Sequence, residues 1–163
     1  MKKVAKMFAI SMMVAMMSIV SVNAQSQGDV AVGADVSIGV GDSYTNIGLG
    51  AKLRYNIVDK IRLEGAYTSY LKNKGYSMWD LTGYAHYLFN VADGFTLYPL
   101  AGLGVFGSKG SGANKSYNDI VVTFGAGVDY ELTDHISFNT EIKYKIVDFK
   151  DRLVFSAGFT FNF

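Results

Sequence analysis

Apolar and polar residues alternate with a period of two along nearly the whole chain after residue 29. In the stretch DVAVGADVSIGV (29–40), every second residue is valine, alanine or isoleucine, and the residues between them are small or polar. The last nine residues, FSAGFTFNF, repeat the pattern, with Phe155, Phe159, Phe161 and Phe163 on one face. Because successive side chains of a strand point to opposite faces, this period predicts strands with one apolar and one polar face.

Eight segments show this alternation, and their connections alternate in length. Short turns such as VADG and LTDH alternate along the chain with the longer polar connections LKNKGYS and GSKGSGANKSYND. Short turns at one rim and longer loops at the other are typical of outer-membrane barrels. The sequence therefore predicts an all-β fold, an eight-stranded antiparallel up-and-down transmembrane β-barrel. The predicted strands are 29–40, 46–55, 60–70, 78–89, 95–106, 120–130, 136–146 and 152–163.

The fifth segment has no clear phase, since both of its faces carry apolar residues. Pro99 lies inside this segment, and proline removes one hydrogen bond from a β-ladder. We therefore expect a bulge or a slip of register at Pro99.

The apolar face of the barrel is predicted to contact lipid. Glycines concentrate on the polar face, where a narrow lumen favours small side chains, and a soluble barrel would expose far too much apolar surface. Aromatic residues are predicted to form two belts. One belt comprises Tyr55, Tyr87, Phe89, Phe95, Tyr130, Phe138, Phe161 and Phe163. The other comprises Tyr67, Trp79, Phe106, Tyr144 and Phe155.

The first 24 residues have the pattern of a cleaved signal peptide. Lys2, Lys3 and Lys6 precede an apolar run, and small residues follow it before Gln25. Residues 1–24 are therefore predicted to be removed, leaving residues 25–163 as the barrel domain, with 12 basic and 14 acidic residues. This charge gives no indication of a nucleic-acid partner. No later segment has 18 consecutive apolar residues, so a membrane helix is not expected.

Charged residues on the polar face are predicted to fill the lumen as cross-strand ion pairs, because an unpaired buried charge is costly. A small porin-like channel is the alternative. The predicted network comprises Asp35, Lys52, Arg54, Arg62, Glu64, Asp80, Asp129, Glu141, Lys143 and Lys145, with Glu131 and Arg152 also facing inward.

No catalytic, cofactor or metal site is predicted. His135 and Ser137 form a His/Ser pair of the kind that an outer-membrane lipid-modifying enzyme could use, but they fall at a short turn on the periplasmic side. His86 is expected to be an interior hydrogen-bonding residue. Four lysines in the two longer loops are possible contacts for phosphates of the outer-leaflet glycolipid. They are Lys72, Lys74, Lys109 and Lys115.

The terminal SAGFTFNF and the segment YPLAGLGVF resemble the small eight-stranded outer-membrane barrels of the OmpX/OmpA type. The resemblance implies a Gram-negative outer-membrane location, membrane lipid and glycolipid as surroundings, and a monomer. It further implies that Ser156, Gly158, Phe161 and Phe163 act as an assembly signal for the barrel-insertion machinery, with periplasmic chaperones also acting during assembly.

The sequence as a whole predicts a non-enzymatic integral outer-membrane barrel with a structural or surface-interaction role. Three alternatives stay open at this point: the small channel, the lipid-modifying enzyme and a soluble lipocalin-like binding barrel.

Overall fold

The computed structural model describes residues 27–41, 45–73, 76–110, 116–147 and 151–163. The predicted signal peptide lies outside these ranges. The strands are β1 Val30–Gly41, β2 Thr45–Val58, β3 Ile61–Asn73, β4 Tyr76–Tyr87, β5 Phe89–Ala92, β6 Phe95–Gly110, β7 Ser116–Thr133, β8 Ile136–Val147 and β9 Arg152–Asn162. Within the same ranges, no helix is both long and apolar enough to cross a membrane.

The strands close into a single antiparallel barrel. Each strand pairs with the next along the chain, except that β4 pairs with β6 and not with β5. The last strand, β9, pairs with β1 along its whole length, from Ala31 opposite Asn162 to Gly41 opposite Arg152. The Phe163 N–H extends this seam by donating to the Val30 carbonyl at 2.9 Å. The alternating C-terminal segment is therefore held by backbone hydrogen bonds to the first strand.

The strands are staggered around the barrel. The stagger can be measured by following each residue to its partner on the next strand. A path that starts at Val30 on β1 returns to β1 at Val40, ten residues further along. The path runs through Val30, Tyr55, Leu63, Ala85, Ala101, Phe124, Tyr144, Leu153 and Val40. A stagger of this size in eight strands corresponds to a tilt of about 40° and to a lumen that side chains can fill.

Strands β4 and β5 are two halves of one strand, so the prediction of an eight-stranded barrel is confirmed. The pairs His86–Leu100 and Phe89–Leu97 follow the same register on either side of the break. In this register Pro99 lies opposite Tyr87, beside the break at Leu88, and it has no N–H to donate to the ladder. The predicted bulge or slip at Pro99 is wrong: β6 keeps one register with β7 from Phe95 to Lys109.

Exposure alternates residue by residue along the strands, with the apolar side chains outside. On β2, for example, Leu49 and Leu53 are each 56% exposed. Lys52 and Arg54, on either side of Leu53, are buried. A continuous apolar exterior of this kind requires lipid as its solvent. The lipid-facing side chains therefore follow the predicted faces on most strands.

Two aromatic residues depart from the predicted belts. Phe89 is 3% exposed, although it lies in the same alternation as the exposed Tyr87 and Val91; its ring packs against that of Tyr87, with 4.9 Å between the centroids. Phe106 is 5% exposed and faces the lumen, as do Tyr98 and Leu100 on the same strand. The sequence could not assign the phase of β6, since apolar residues lie on both of its faces.

The depth dependence of an arginine on the lipid-facing surface tests this assignment of inside and outside. Leu49 lies six residues along β2 from Tyr55, well inside the apolar band, whereas Val30 pairs with Tyr55 at the rim. Leu49→Arg should reduce the free energy of unfolding in phospholipid vesicles by about 2–4 kcal/mol, and Val30→Arg by about 0–1 kcal/mol. Urea titration of both variants measures this. Equal effects at the two depths would contradict the lipid-facing assignment.

Candidate functional site

The structure brings all ten predicted charged residues, and Arg152, into the interior of the barrel. Each of the eleven is at most 9% exposed. Alternation alone directs their side chains inward, but closure of the sheet decides which of them meet. They form a central cluster and an outer cluster, the latter nearer to the longer connections.

Arg54 is the centre of the central cluster. Its Nε donates to Glu64 at 2.6 Å, its Nη1 to Asp129 at 3.1 Å and its Nη2 to Glu141 at 3.0 Å. These three carboxylates come from β3, β7 and β8. A planar guanidinium can bind several carboxylates in this way because its N–H groups diverge in one plane.

Three further cations complete the central cluster. Arg62 contacts Asp129 at 2.7 Å, Lys143 contacts Glu141 at 2.6 Å, and Lys52 contacts Asp35 at 3.1 Å. Together with Arg54 and Glu64, the cluster holds four cations and four carboxylates. Equal numbers of opposite charges, joined by short contacts, are the arrangement in which buried ions are tolerated.

Tyr98 on β6 joins this cluster, although the sequence analysis did not identify it. Its hydroxyl lies 3.2 Å from Asp129 and 2.9 Å from Glu141. The Arg62 guanidinium stacks over its ring at 4.6 Å. A Cβ at Gly127, the neighbouring residue on β7, would lie 2.5 Å from the ring. Gly127 was therefore the sequence signal for this contact, because a glycine within a strand often marks a place where another group lies close to the backbone.

The outer cluster is built on Asp80. One of its oxygens, Oδ2, accepts hydrogen bonds from Lys145 at 2.8 Å, from Arg152 at 3.1 Å and from the Tyr70 hydroxyl at 2.7 Å. The Arg152 guanidinium also lies over the rings of Tyr70 and Phe106, at 4.7 and 4.5 Å. An apolar layer of Tyr70, Phe106, Val121 and Val147 packs beside it in the same part of the lumen.

The histidines do not form a reactive constellation. His86 is 2% exposed, its Nδ1 accepts a hydrogen bond from Arg62 Nε at 3.1 Å, and its ring stacks on Tyr98. His135 is exposed in a turn, whereas Ser137 is buried and faces the lumen. Within the described ranges, no group of three or more His, Cys, Asp or Glu residues could hold a metal ion.

A cavity of about 270 Å³ opens at the inner end of the barrel, below the central cluster. Glu131, which the sequence analysis counted among the interior charges, lines this cavity at the rim and is half-buried. The cavity lining comprises Asp29, Ala31, Arg54, Asn56, Arg62, Glu131, Asp134 and Asn162.

The remaining predicted residues lie at the two ends of the strands. Lys74 and Lys115 are outside the described residues, as is the side chain of Lys72, and Lys109 is exposed at the outer end of β6. Of the predicted assembly signal, Ser156 and Gly158 face the lumen, whereas Phe161 and Phe163 are 51% and 81% exposed toward lipid.

A closed antiparallel barrel with an apolar exterior and a charged interior defines the class of transmembrane β-barrels. The chain belongs to the outer membrane protein beta-barrel domain family, which matches residues 12–163. It is therefore an integral protein of the Gram-negative outer membrane. No curated protein sequence matches the chain significantly.

Three solved structures of similar fold are distant from the chain in sequence. The barrel is similar to Neisserial surface protein A, at 17% identity and a TM-score of 0.69, over 83% of this chain and 96% of that one. It is similar to the N-terminal barrel of OprF from Pseudomonas aeruginosa, at 18% identity and a TM-score of 0.65, over 85% and 100%. It also resembles Ail, the attachment invasion locus protein of Yersinia pestis, at 18% identity and a TM-score of 0.59, over 84% and 99%.

Proposed function

We propose that this protein is a non-enzymatic outer-membrane barrel whose lumen is closed by its ion-pair network, and that it acts through its outer rim and its lipid-facing wall. One observation carries the proposal: the Arg54 side chain is buried, at 2% exposure, and it binds Glu64, Asp129 and Glu141 at the same time.

The network closes the lumen because its bonds cross from one side of the barrel to the other. In the order of strands around the barrel, β2 lies opposite β7, and the bond between Arg54 and Asp129 joins these two strands. At the outer level, β4 lies opposite β9, and the bond between Asp80 and Arg152 joins that pair. Two levels of crossing bonds support a lumen that is closed to hydrated ions.

A role at the cell surface is supported by the length of two strands that lead to the outer end of the barrel. Strands β6 and β7 are the longest described strands, at 16 and 18 residues. Residues 116–120 of β7 pair with residues 105–109 of β6, so the two strands stay paired as far as Ser116 and Lys109. The names of Neisserial surface protein A and of the attachment invasion locus protein are consistent with a surface role for this barrel type.

Conductance in planar bilayers tests the closed lumen. The wild-type protein should give no steady current, because both levels of the network remain bonded at neutral pH. A double variant, Arg54→Ala with Arg152→Ala, removes the crossing bond at each level and should give brief openings. A single exposed change, Lys109→Ala, should leave the protein silent. Large stable currents from the wild type would support the channel alternative instead.

A further inference from the structure

Trp79 lies flat against the backbone of the neighbouring strand at the outer, lipid-facing end of the barrel. It pairs across β4 and β6 with Gly107. A Cβ at Gly107 would lie 2.4 Å from Cε2, 2.5 Å from Nε1 and 2.7 Å from Cζ2 of the indole. The indole therefore covers the glycine with one face, and its other face is directed away from the backbone. A glycine is required for this approach, since any side chain would displace the ring.

Tyr67 extends the aromatic surface onto β3. The rings of Tyr67 and Trp79 are 6.2 Å apart between centroids, with an angle of 28° between their planes. Tyr67 is 46% exposed and Trp79 is half-buried. Strand pairing and the close approach to Gly107 hold the two rings in place, so a ligand would not have to order them on binding.

The residues above and below this aromatic surface form a gradient from apolar to cationic. Toward the membrane midplane it continues into Leu81 and Val105, which pair with each other and are 54% and 41% exposed. Toward the outer rim it continues into Ser77 and Lys109, which also pair with each other, and Lys109 is exposed. From the membrane midplane toward the outer rim, the surface is therefore first apolar, then aromatic, and finally hydrogen-bonding and positively charged.

We propose that Tyr67, Trp79 and Lys109 form a binding site for the phosphorylated sugar headgroup of a glycolipid in the outer leaflet. The electron-rich face of the indole packs against the C–H face of a sugar ring, Lys109 meets the phosphate, and Leu81 and Val105 contact the first part of the acyl chains. This proposal rests on the membrane placement of the proposed function, but not on the closed lumen.

The order of the gradient favours a glycolipid over the other possible occupants. A protein partner would need a much larger apolar surface, of about 800 Å² on each side. A phospholipid would use the lysine and the apolar residues, but not a rigid aromatic surface placed between them. The aromatic surface lies where a sugar would lie, between the phosphate and the acyl chains.

Trp79 is the only tryptophan of the chain, so intrinsic fluorescence reports on this site directly. The folded protein in detergent is titrated with a glycolipid that has a phosphorylated glucosamine headgroup. Separate titrations use phosphatidylglycerol and phosphatidylcholine. We expect a saturable shift of the emission with the glycolipid, at least ten times weaker apparent affinity for phosphatidylglycerol, and no saturable response to phosphatidylcholine.

Two glycine variants separate the aromatic surface from general effects on the wall. Gly107→Ala should weaken glycolipid binding at least ten-fold, because the new Cβ displaces the indole. Gly65→Ala is the matched control: it also lies on the lipid-facing side, nothing lies within 4 Å of its Cβ position, and it should bind as the wild type does. Lys109→Gln should weaken binding of the glycolipid and reduce its dependence on salt.

The mobility of each unboiled sample on a gel confirms that the barrel is folded before titration, so a folding failure is recognised separately. Equal responses to the glycolipid and to phosphatidylglycerol would overturn the proposal, as would equal binding by the Gly107→Ala and Gly65→Ala variants. Open-channel currents would contradict the closed lumen and leave these binding results unaffected.

Discussion

Replacing Arg54 by alanine should reduce the free energy of unfolding by about 3–5 kcal/mol, because it removes one partner of a buried ionic network. Glu64, Asp129 and Glu141 each lose a contact of 3.1 Å or less. Arg62, Lys143 and Lys52 still contact two of these carboxylates, but Glu64 has no other ion pair among the described residues. Urea titration in vesicles or detergent, followed by tryptophan fluorescence, measures the loss.

Two controls separate the network from the loss of a positive charge as such. Lys109→Ala also removes a cation, but at an exposed position, and should change the stability by less than about 0.5 kcal/mol. The double variant Arg54→Met with Glu64→Leu removes both charges of one pair and should be less destabilising than the sum of the two single changes. If Arg54→Ala were as mild as Lys109→Ala, the interior would not depend on the network.

Deleting Phe163 should reduce the amount of assembled barrel in cells several-fold while changing refolding of the purified protein much less. The physical contribution of this residue to the barrel is small: its side chain is 81% exposed, and its N–H makes one backbone bond to Val30. A large effect in cells therefore requires recognition by the insertion machinery, which is the role that the resemblance implies for the terminal aromatic residue. The measurement compares heat-shifted barrel in membrane fractions with refolding yield in detergent.

Substitution by alanine separates the side chain from the backbone bond. Phe163→Ala keeps the N–H that donates to Val30 and should still assemble poorly in cells. Phe155→Ala, on the same strand and 46% exposed, is the matched control for losing a lipid-facing aromatic ring and should assemble normally. Equal and small effects of both alanine variants would identify Phe163 as ordinary lipid-facing surface. Equal and large losses in cells and in detergent after the deletion would identify it as a closure residue.

The sequence by itself determined the fold class, the number of strands and the face of nearly every strand. Strands with a period of two and one apolar face have few stable arrangements. Because the apolar faces of this chain are so extensive, they are stable only in contact with lipid. Closure of the last strand onto the first also follows, because a lipid-exposed strand edge would leave backbone groups without hydrogen bonds. Seven of the eight strands could be assigned in this way.

The tertiary structure alone decided which side chains meet across the lumen. Arg54 and Asp129 are 75 residues apart in sequence, and only the closure of the sheet and its stagger of ten residues bring β2 and β7 to opposite sides of one narrow lumen. It also decided the phase of β6, where both faces are apolar, and therefore the interior positions of Tyr98 and Phe106. The approach of Trp79 to Gly107 depends equally on register. Alternation specifies the direction of each side chain, but the partner that it contacts depends on the stagger of the closed sheet, which no local pattern encodes.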